Sequence, residues 1–217
     1  MKALIISGGT IEDGFAKQFL RENTFDYIIA ADRGLEFCDR AGISVDYIVG
    51  DFDSIDVQLI DAYEKDGSIA IDRYNPVKDY TDTGIAMRKA VEMGAAEVYF
   101  IGATGTRMDH SMSNIFCLYY LYKKNIRGVI MDAHNRITMP LKKSFSISAQ
   151  EQYGKFISFF PYTAEVTKLT LQGFQYPVTD RTMTIGDEGL FVSNQLAATE
   201  GHVSYQDGIM IMIESRD

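Results

Sequence analysis

The feature that most constrains the fold is a regular alternation of two periods over the first 132 residues. Between short apolar runs lie stretches whose apolar residues repeat at helical spacing, as at Ile11, Phe15 and Phe19. The apolar, β-branched runs occur at residues 3–7, 27–31, 47–50, 68–71, 98–102 and 128–131. Strands that are apolar almost throughout and alternate with helices are typical of a parallel sheet covered on both faces. The pattern therefore predicts an α/β, Rossmann-like domain with helices on both faces of the sheet.

The pattern changes after about residue 133. Three of the four prolines lie in this second part, and the helical spacing disappears. Strand-like runs follow at residues 143–148, 155–160, 166–172, 189–193 and 208–213. Several short strands separated by turn residues favour an antiparallel sandwich or barrel. We therefore predict two domains, an α/β domain over residues 1–133 and a smaller all-β sandwich over residues 134–217.

The charge balance limits the partners. The chain has a formal net charge of -9 at pH 7, whereas nucleic-acid binding requires clustered lysines and arginines. No stretch approaches the roughly 18 apolar residues of a membrane span, and the N-terminal apolar run is too short for a signal peptide. We therefore expect a cytoplasmic protein that binds neither nucleic acid nor a membrane.

Charged and polar residues that could bind a ligand or take part in catalysis follow the predicted strands. In an open parallel sheet, ligands bind outside the carboxyl ends of the strands, so these positions are expected to converge. The second predicted strand is followed by Asp32, and the third by Asp51 and Asp53. The fifth is followed by a glycine-rich segment that runs from residue 102 to 110. The segment before the fourth predicted helix contains Lys78, Thr81 and Asp82, and the glycine-rich segment contains Arg107 and Asp109.

Carboxylates gathered at one sheet edge would repel one another unless a cation lay among them. Oxygen ligands select Mg²⁺ or Ca²⁺, and Mg²⁺ commonly shares its coordination with substrate phosphates. The nearby Lys78 and Arg107, with the backbone N–H groups of a glycine-rich turn, suit phosphate binding. The sequence therefore predicts Mg²⁺-dependent phosphoryl chemistry.

Three other interpretations remain open at this point. Asp51 and Asp53 are also suited to satisfying turn amides, and Asp109 to capping a helix. Asp51-Phe52-Asp53 after an apolar strand also resembles the nucleophile motif of haloacid-dehalogenase-type phosphatases, with Asp51 attacking phosphorus and Asp53 acting as acid and base. The third is a non-catalytic sensor that binds its ligand without turnover.

Taken in order, the motifs resemble those of the thiamin pyrophosphokinase family over essentially the whole chain. Given this resemblance, the third interpretation is a non-catalytic nucleotide or thiamin sensor that kept the fold. Residues 50–54 and 78–82 match its acidic and Thr-Asp segments, whereas residues 31–34 carry Arg33 where the family has glycine. Residues 102–110 resemble its Gly-Gly-Arg-x-Asp-His loop, with Thr106 at a position where glycine is usual. In the second domain, residues 173–176 and 189–194 resemble its Gly-x-x-Tyr and Ser-Asn segments.

This resemblance implies transfer of a pyrophosphoryl group from ATP to the hydroxyl of thiamin, with release of AMP, in a Mg²⁺-dependent homodimer. It assigns nucleotide binding and catalysis to residues 1–133 and thiamin binding to residues 134–217. The implied metal ligands are Asp51, Asp53 and Asp82, and the implied catalytic residues are Lys78, Asp82 and Arg107. The implied ATP contacts are Asp32, Lys78, Thr81, Arg107 and Asp109, and the implied thiamin contacts are Ser193 and Asn194.

Overall fold

The computed structural model describes residues 1–74, 80–187 and 189–217. The chain divides into two compact units, Met1–Ala133 and His134–Asp217. Among the described residues, no helix has the length and apolar character that a membrane span requires.

The first unit alternates strands and helices throughout. Its strands are β1 (Lys2–Ile6), β2 (Tyr27–Ala31), β3 (Tyr47–Gly50), β4 (Ala70–Arg73), β5 (Glu97–Ile101) and β6 (Arg127–Met131). Its helices are α1 (Asp13–Glu22), α2 (Gly34–Ala41), α3 (Val57–Asp66), α4 (Asp82–Glu92) and α5 (Met108–Lys123). All the strand pairs of this unit are parallel.

The strand order in this unit is β4-β3-β2-β1-β5-β6. The chain builds outward from β1 to β4, and β5 then pairs on the other side of β1. The order therefore reverses between β1 and β5, and such a switch point leaves a crevice at the carboxyl ends of the two strands. The topology places the loops after β1 and β5 beside each other.

Burial in β1 shows that the sheet is covered on both sides. Leu4, Ile5 and Ile6 are successive residues whose side chains point to alternate faces, and all three are 0% exposed. Helix α4 packs on β1, β2 and β3, whereas α5 packs on β6. The predicted α/β class with a helix-covered parallel sheet is confirmed.

The second unit is all-β. Its strands are β7 (Asn135–Thr138), β8 (Ser144–Ser148), β9 (Phe156–Pro161), β10 (Glu165–Gln172), β11 (Val178–Thr184), β12 (Glu200–Ser204) and β13 (Met210–Ser215). One antiparallel sheet has the order β11-β10-β12-β8, and β13 pairs antiparallel with both β7 and β9. Both sets contribute to one apolar core, which includes Phe159, Leu169 and Val203. The predicted smaller antiparallel domain is confirmed.

One predicted strand is wrong. Residues 189–193 form turns and bends rather than a strand. The backbone is left-handed at Gly189 (φ 77°) and at Ser193 (φ 57°), which is incompatible with an extended run. The apolar residue that suggested a strand, Phe191, instead fills the core and is 1% exposed.

Three strands of this unit do not appear in the prediction, namely β7, β11 and β12. Strand β11 is exposed at most positions, so it lacks the apolar alternation on which such a prediction depends. Strand β12 contains Gly201, where a Cβ atom would lie 2.4 Å from Leu196 and 2.8 Å from Phe174. Close packing of neighbouring side chains therefore requires the glycine that made this segment look like a loop.

Candidate functional site

A cavity of about 510 Å³ opens at the switch point of the first unit. Its wall is built from the ends of three strands and the starts of two helices. The lining segments are residues 7–10, 31–33, 81–83 and 102–107, together with Ser54, His110, Ser111 and Asn114. Residues 7–10 are called the β1 loop below, and residues 102–107 the β5 loop.

Main-chain hydrogen bonds join these two loops. The N–H of Gly9 donates to the carbonyl of Gly102 (2.7 Å), and that of Thr10 donates to the carbonyl of Thr104 (2.9 Å). A Cβ atom on Gly9 would lie 2.3 Å from the Thr104 oxygen. Only glycine therefore permits the close approach of the two backbones at this position.

Sequence reasoning missed the β1 loop as part of the site. The signal that was available is Ser7-Gly8-Gly9-Thr10, which directly follows the first apolar run. Without the strand order, nothing distinguishes this pair of glycines from an ordinary turn. The switch point between β1 and β5 makes it part of the cavity wall.

Buried polar side chains form hydrogen bonds that hold the β1 loop and the β5 loop in place. Asn114 on α5 donates from its amide to the carbonyl of Ala103 at 2.7 Å. Thr83 on α4 donates to the hydroxyl of Ser7 at 2.9 Å. Each contact is buried, so losing it would leave a polar group without a partner. The cavity wall is therefore held in one arrangement by side chains from two helices.

Three carboxylates meet at one side of the site. Asp32, Asp51 and Asp53, here called the acidic trio, each offer an oxygen within 4.8 Å of the others. Asp32 directly follows β2, and the other two follow β3. Left-handed backbone at Asp32 (φ 47°) and Phe52 (φ 60°) turns the chain sharply where the trio is presented.

Asp32 is the most constrained member of the trio. Its Oδ2 accepts a hydrogen bond from the Ser54 hydroxyl at 2.8 Å. Its Oδ1 is buried and has no hydrogen-bond partner among the residues that the structure describes. Burial raises the pKa of this carboxyl, the hydrogen bonds from Ser54 and the Arg33 backbone oppose that shift, and the negative charges of Asp82 and Asp51 add to it.

The donor set fits a divalent cation. A buried carboxylate oxygen without a partner, beside two further carboxylates, is stabilised by a positive charge placed among them. All the donors are oxygens, which suits Mg²⁺ or Ca²⁺ rather than a thiolate-binding metal. The predicted metal ligands Asp51 and Asp53 therefore lie together, with Asp32 as the third member of the trio.

Asp82 lies apart from this trio but on the same cavity. It is the first residue of α4, and its charge acts on the Asp32 carboxyl. Thr81 lines the cavity as well and caps α4, since its hydroxyl accepts a hydrogen bond from the N–H of Gly84 at 3.2 Å. Its capping role follows directly from its position before the helix. Lys78 lies outside the described residues.

Arg107 and Asp109 form an ion pair at the start of α5. The guanidinium donates to both carboxylate oxygens, at 2.6 Å and 3.2 Å. Hydrogen bonding from Arg107 lowers the pKa of Asp109 to about 2. Arg107 lines the cavity, and its side chain is 69% exposed. The charge of Arg107 is thus balanced by Asp109.

Ser193 and Asn194 lie in the second unit and differ in environment. The Asn194 side chain is buried, accepts from the N–H of Tyr176 at 3.0 Å and donates to the Tyr176 carbonyl at 2.8 Å. It therefore holds the main chain of Tyr176 in place. Ser193 is exposed, and its N–H donates to the hydroxyl of Ser158 at 3.0 Å.

Family comparisons cover both units. The thiamin pyrophosphokinase catalytic-domain model matches residues 19–130, and the thiamin pyrophosphokinase vitamin B1 binding-domain model matches residues 142–210. The chain is 36% identical over 189 residues to thiamine pyrophosphokinase of Bacillus subtilis (strain 168), covering 87% of each sequence.

Solved structures agree with these matches. The crystal structure of thiamine pyrophosphokinase from Bacillus subtilis superposes with a TM-score of 0.86 at 33% identity, covering 100% of both chains. That of thiamin pyrophosphokinase from Geobacillus thermodenitrificans gives 0.82 at 28% identity, covering 100% of this chain and 98% of that one. The Candida albicans enzyme shares the fold at 18% identity, with a TM-score of 0.79 over 99% of this chain and 88% of that one. The resemblance and the enzyme class predicted from the motifs are confirmed. The chain therefore belongs to the thiamin pyrophosphokinase family.

Proposed function

We propose that this enzyme transfers a pyrophosphoryl group from ATP to the hydroxyl of thiamin in a Mg²⁺-dependent reaction, giving thiamin diphosphate and AMP. The observation that carries the proposal is the switch-point cavity, whose wall holds Asp32 of the acidic trio, Asp82 and two glycine-containing loops, with Asp51 and Asp53 beside Asp32. Relatives of this family are named as thiamine pyrophosphokinases and match over both units. The site supplies the oxygen ligands and the close backbone approach that phosphoryl transfer requires.

The nucleotide phosphates are proposed to lie against the β5 loop and the start of α5. A helix N-terminus and neighbouring backbone N–H groups favour anions there, and Arg107 adds a positive charge beside them. Bound phosphate would compete with Asp109 for the Arg107 guanidinium, since both are anionic acceptors. Asp32, Lys78 and Thr81 remain predicted ATP contacts. Asp32 and Thr81 line the cavity in which the nucleotide is proposed to bind.

The residues that would hold Mg²⁺ are the acidic trio, with Asp82 as a further predicted ligand. When bound, the ion supplies neutralisation of the phosphate charge that develops during transfer. The carboxylates themselves would fix the position of that charge, and Asp32, whose backbone is left-handed, adds a buried oxygen that has no hydrogen-bond partner among the described residues. In this proposal the trio holds the metal ion, and none of its carboxylates attacks phosphorus as a nucleophile.

The transfer step makes one bond and breaks one. The thiamin hydroxyl oxygen bonds to the β-phosphorus, and the bond between that phosphorus and the bridging oxygen to the α-phosphorus breaks. The electron pair of the broken bond leaves with AMP, and the hydroxyl proton passes to a base. We assign this base to Asp82, which lines the cavity and whose second carboxylate oxygen would accept the proton if the first binds the ion.

Thiamin is proposed to bind at the second unit through Ser193. The exposed Ser193 offers a hydroxyl to a ligand, whereas the Asn194 amide is engaged with the main chain of Tyr176. Asn194 would then act indirectly, by holding the half-exposed Tyr176 ring beside the ligand. Homodimer formation and a cytoplasmic location stay predictions, and light scattering of the purified protein tests the first.

The decisive experiment follows AMP formation from ATP with and without thiamin, in Mg²⁺ and in EDTA. We expect AMP and thiamin diphosphate in equal amounts only when both thiamin and Mg²⁺ are present. Inorganic phosphate released without thiamin would instead support a phosphatase, and ligand-dependent thermal stabilisation without turnover would support a sensor. The variants Asp53→Ala and Asp82→Ala should fold and lose turnover, and wild-type rates in either would remove that residue from the mechanism.

A further inference from the structure

Arg33 occupies a position on the cavity wall that the mechanism above does not use. It follows Asp32 directly and precedes α2, and it lines the cavity together with the β1 loop. A Cβ atom on Gly8 would lie 2.8 Å from the Arg33 Cβ. The glycine therefore makes room for the base of the arginine side chain, which lies against the β1 loop and directly follows Asp32 in the chain.

The guanidinium of Arg33 forms a long, weak ion pair within the described part of the protein. Its ion pair is a single contact from Nε to a Glu36 oxygen at 3.5 Å, with the side chain 55% exposed. Arg107 on the same cavity instead makes two contacts with Asp109, at 2.6 Å and 3.2 Å. A long, exposed ion pair contributes little free energy, so Arg33 can exchange Glu36 for another anion at low cost.

The site also needs a cation at this place. Asp32 and Asp82 line the cavity, and a triphosphate entering it meets their negative charge. An arginine presents a planar fork that binds phosphate oxygens in pairs, and it stays charged at every physiological pH. Among the described lining residues, the arginines are Arg33 and Arg107, and they follow different strands of the sheet.

We propose that Arg33 is a phosphate-binding residue of this enzyme, which selects the polyphosphate chain of the nucleotide. The inference rests on the proposed function and deepens it. The sequence motif resembles a family pattern with glycine at this position, so that pattern does not itself assign the contact. Arg33 then binds phosphate oxygens from the end of β2, while Arg107 binds them from the β5 loop.

The test compares Arg33→Met, Arg33→Lys and a matched control, Arg40→Met. Methionine keeps the apolar stem and removes the charge, whereas lysine keeps the charge without the fork. Arg40 lies near the other end of α2 in an exposed pair with Asp13 at 3.4 Å and does not line the cavity. Calorimetry measures the binding of a non-hydrolysable ATP analogue and of adenosine, both with Mg²⁺, and steady-state assays give KM for ATP and for thiamin.

We expect Arg33→Met to weaken analogue binding about tenfold or more, since hydrogen bonds to charged groups are worth about 1.5–3 kcal/mol. Adenosine affinity and KM for thiamin should stay at wild-type values, and KM for ATP should rise in parallel with the analogue Kd. Arg33→Lys should recover part of the loss, and Arg40→Met should match the wild type.

Unchanged analogue affinity in Arg33→Met would overturn the proposal. Equal losses for the analogue and for adenosine would also overturn it, because they would indicate a general disturbance of the wall. Failure of the proposed function is a separate result, namely absence of AMP from wild-type enzyme supplied with thiamin. The binding measurements still decide the role of Arg33 in that case.

Discussion

Replacing Asp32 with asparagine separates the structural cost of the acidic trio from its proposed role in binding Mg²⁺. The Asp32 Oδ1 atom is buried without a hydrogen-bond partner among the described residues, and Asp51 and Asp82 place further negative charge around it. Asparagine keeps an oxygen for the Ser54 hydroxyl and removes the charge. The amide nitrogen that replaces Oδ1 is still a buried polar group, but burying a neutral group costs less free energy than burying a charge. The metal-free variant should therefore be at least as stable as the wild type at neutral pH.

The same substitution should abolish stabilisation by Mg²⁺. If the trio binds the ion in the folded state alone, wild-type protein gains about 2.7 kcal/mol at a Mg²⁺ concentration 100 times the Kd. In a chain of this size, each 1 kcal/mol shifts Tm by about 2–4 °C. Thermal unfolding in EDTA and in Mg²⁺ should thus show a clear shift for the wild type and none for Asp32→Asn.

The pH dependence gives a second measure of the same group. Because burial raises the pKa of Asp32, the folded metal-free protein retains this proton to a higher pH than the unfolded chain does. Its contribution to stability is complete below the ordinary pKa of about 3.9 and is lost as the pH rises through the raised pKa. Asp32→Asn should lack this loss in EDTA.

The matched control is Asp61→Asn, which changes an exposed carboxylate on α3. It should keep the wild-type response to Mg²⁺ and to pH. The reasoning is refuted if Asp32→Asn retains the full Mg²⁺ shift, or if it unfolds several degrees below wild type in EDTA. The first result would remove Asp32 from the metal site, and the second would show that its charge stabilises the fold.

Three further substitutions test the packing and hydrogen bonds within the two units, the first two at the cavity wall and the third in the second unit. Gly9→Ala should raise KM for ATP at least tenfold, because the new Cβ meets a carbonyl of the β5 loop at 2.3 Å, and the shift is measured by steady-state kinetics. Asn114→Ala should cost about 1–3 kcal/mol in urea unfolding, since it leaves the buried carbonyl that Asn114 contacts unpaired; a loss near zero would contradict this. Glu214→Gln should lower the free energy of unfolding by about 3–5 kcal/mol, because Glu214 is 0% exposed and pairs with Arg136 at 2.5 Å and 2.6 Å. Unfolding monitored by fluorescence measures this loss. The fraction of the variant that stays folded should keep full turnover.

The alternation of strands and helices was accessible from the sequence because most strands of the first unit are buried on both faces, whereas its helices have an exposed face. These burial patterns leave two distinct apolar periods in the chain. Strand bounds were less well defined: the fourth predicted strand, residues 68–71, is displaced from β4 at Ala70–Arg73. This edge strand is half-exposed, so its period is weak.

The second unit was harder to predict for a related reason. Strand β11 is mostly solvent-exposed, and Phe191 enters the core from a turn rather than from a strand. In this unit, an apolar residue indicates that its side chain is buried but does not indicate whether the backbone there is a strand or a turn. The predicted strand at residues 189–193 is wrong because left-handed backbone at its two ends was invisible in the sequence.

The site divides in the same way. By itself, the sequence determined the family and predicted which residues carry the chemistry, because carboxylates, a glycine-rich turn and basic residues follow apolar strands in an order that matches that family. Only the tertiary structure decided which of them meet. Pairing of β5 with β1 brought the β1 loop into the cavity, and the turns after β2 and β3 joined Asp32 to Asp51 and Asp53. Strand order is set by packing between segments distant in the chain, and no local pattern of residues encodes it.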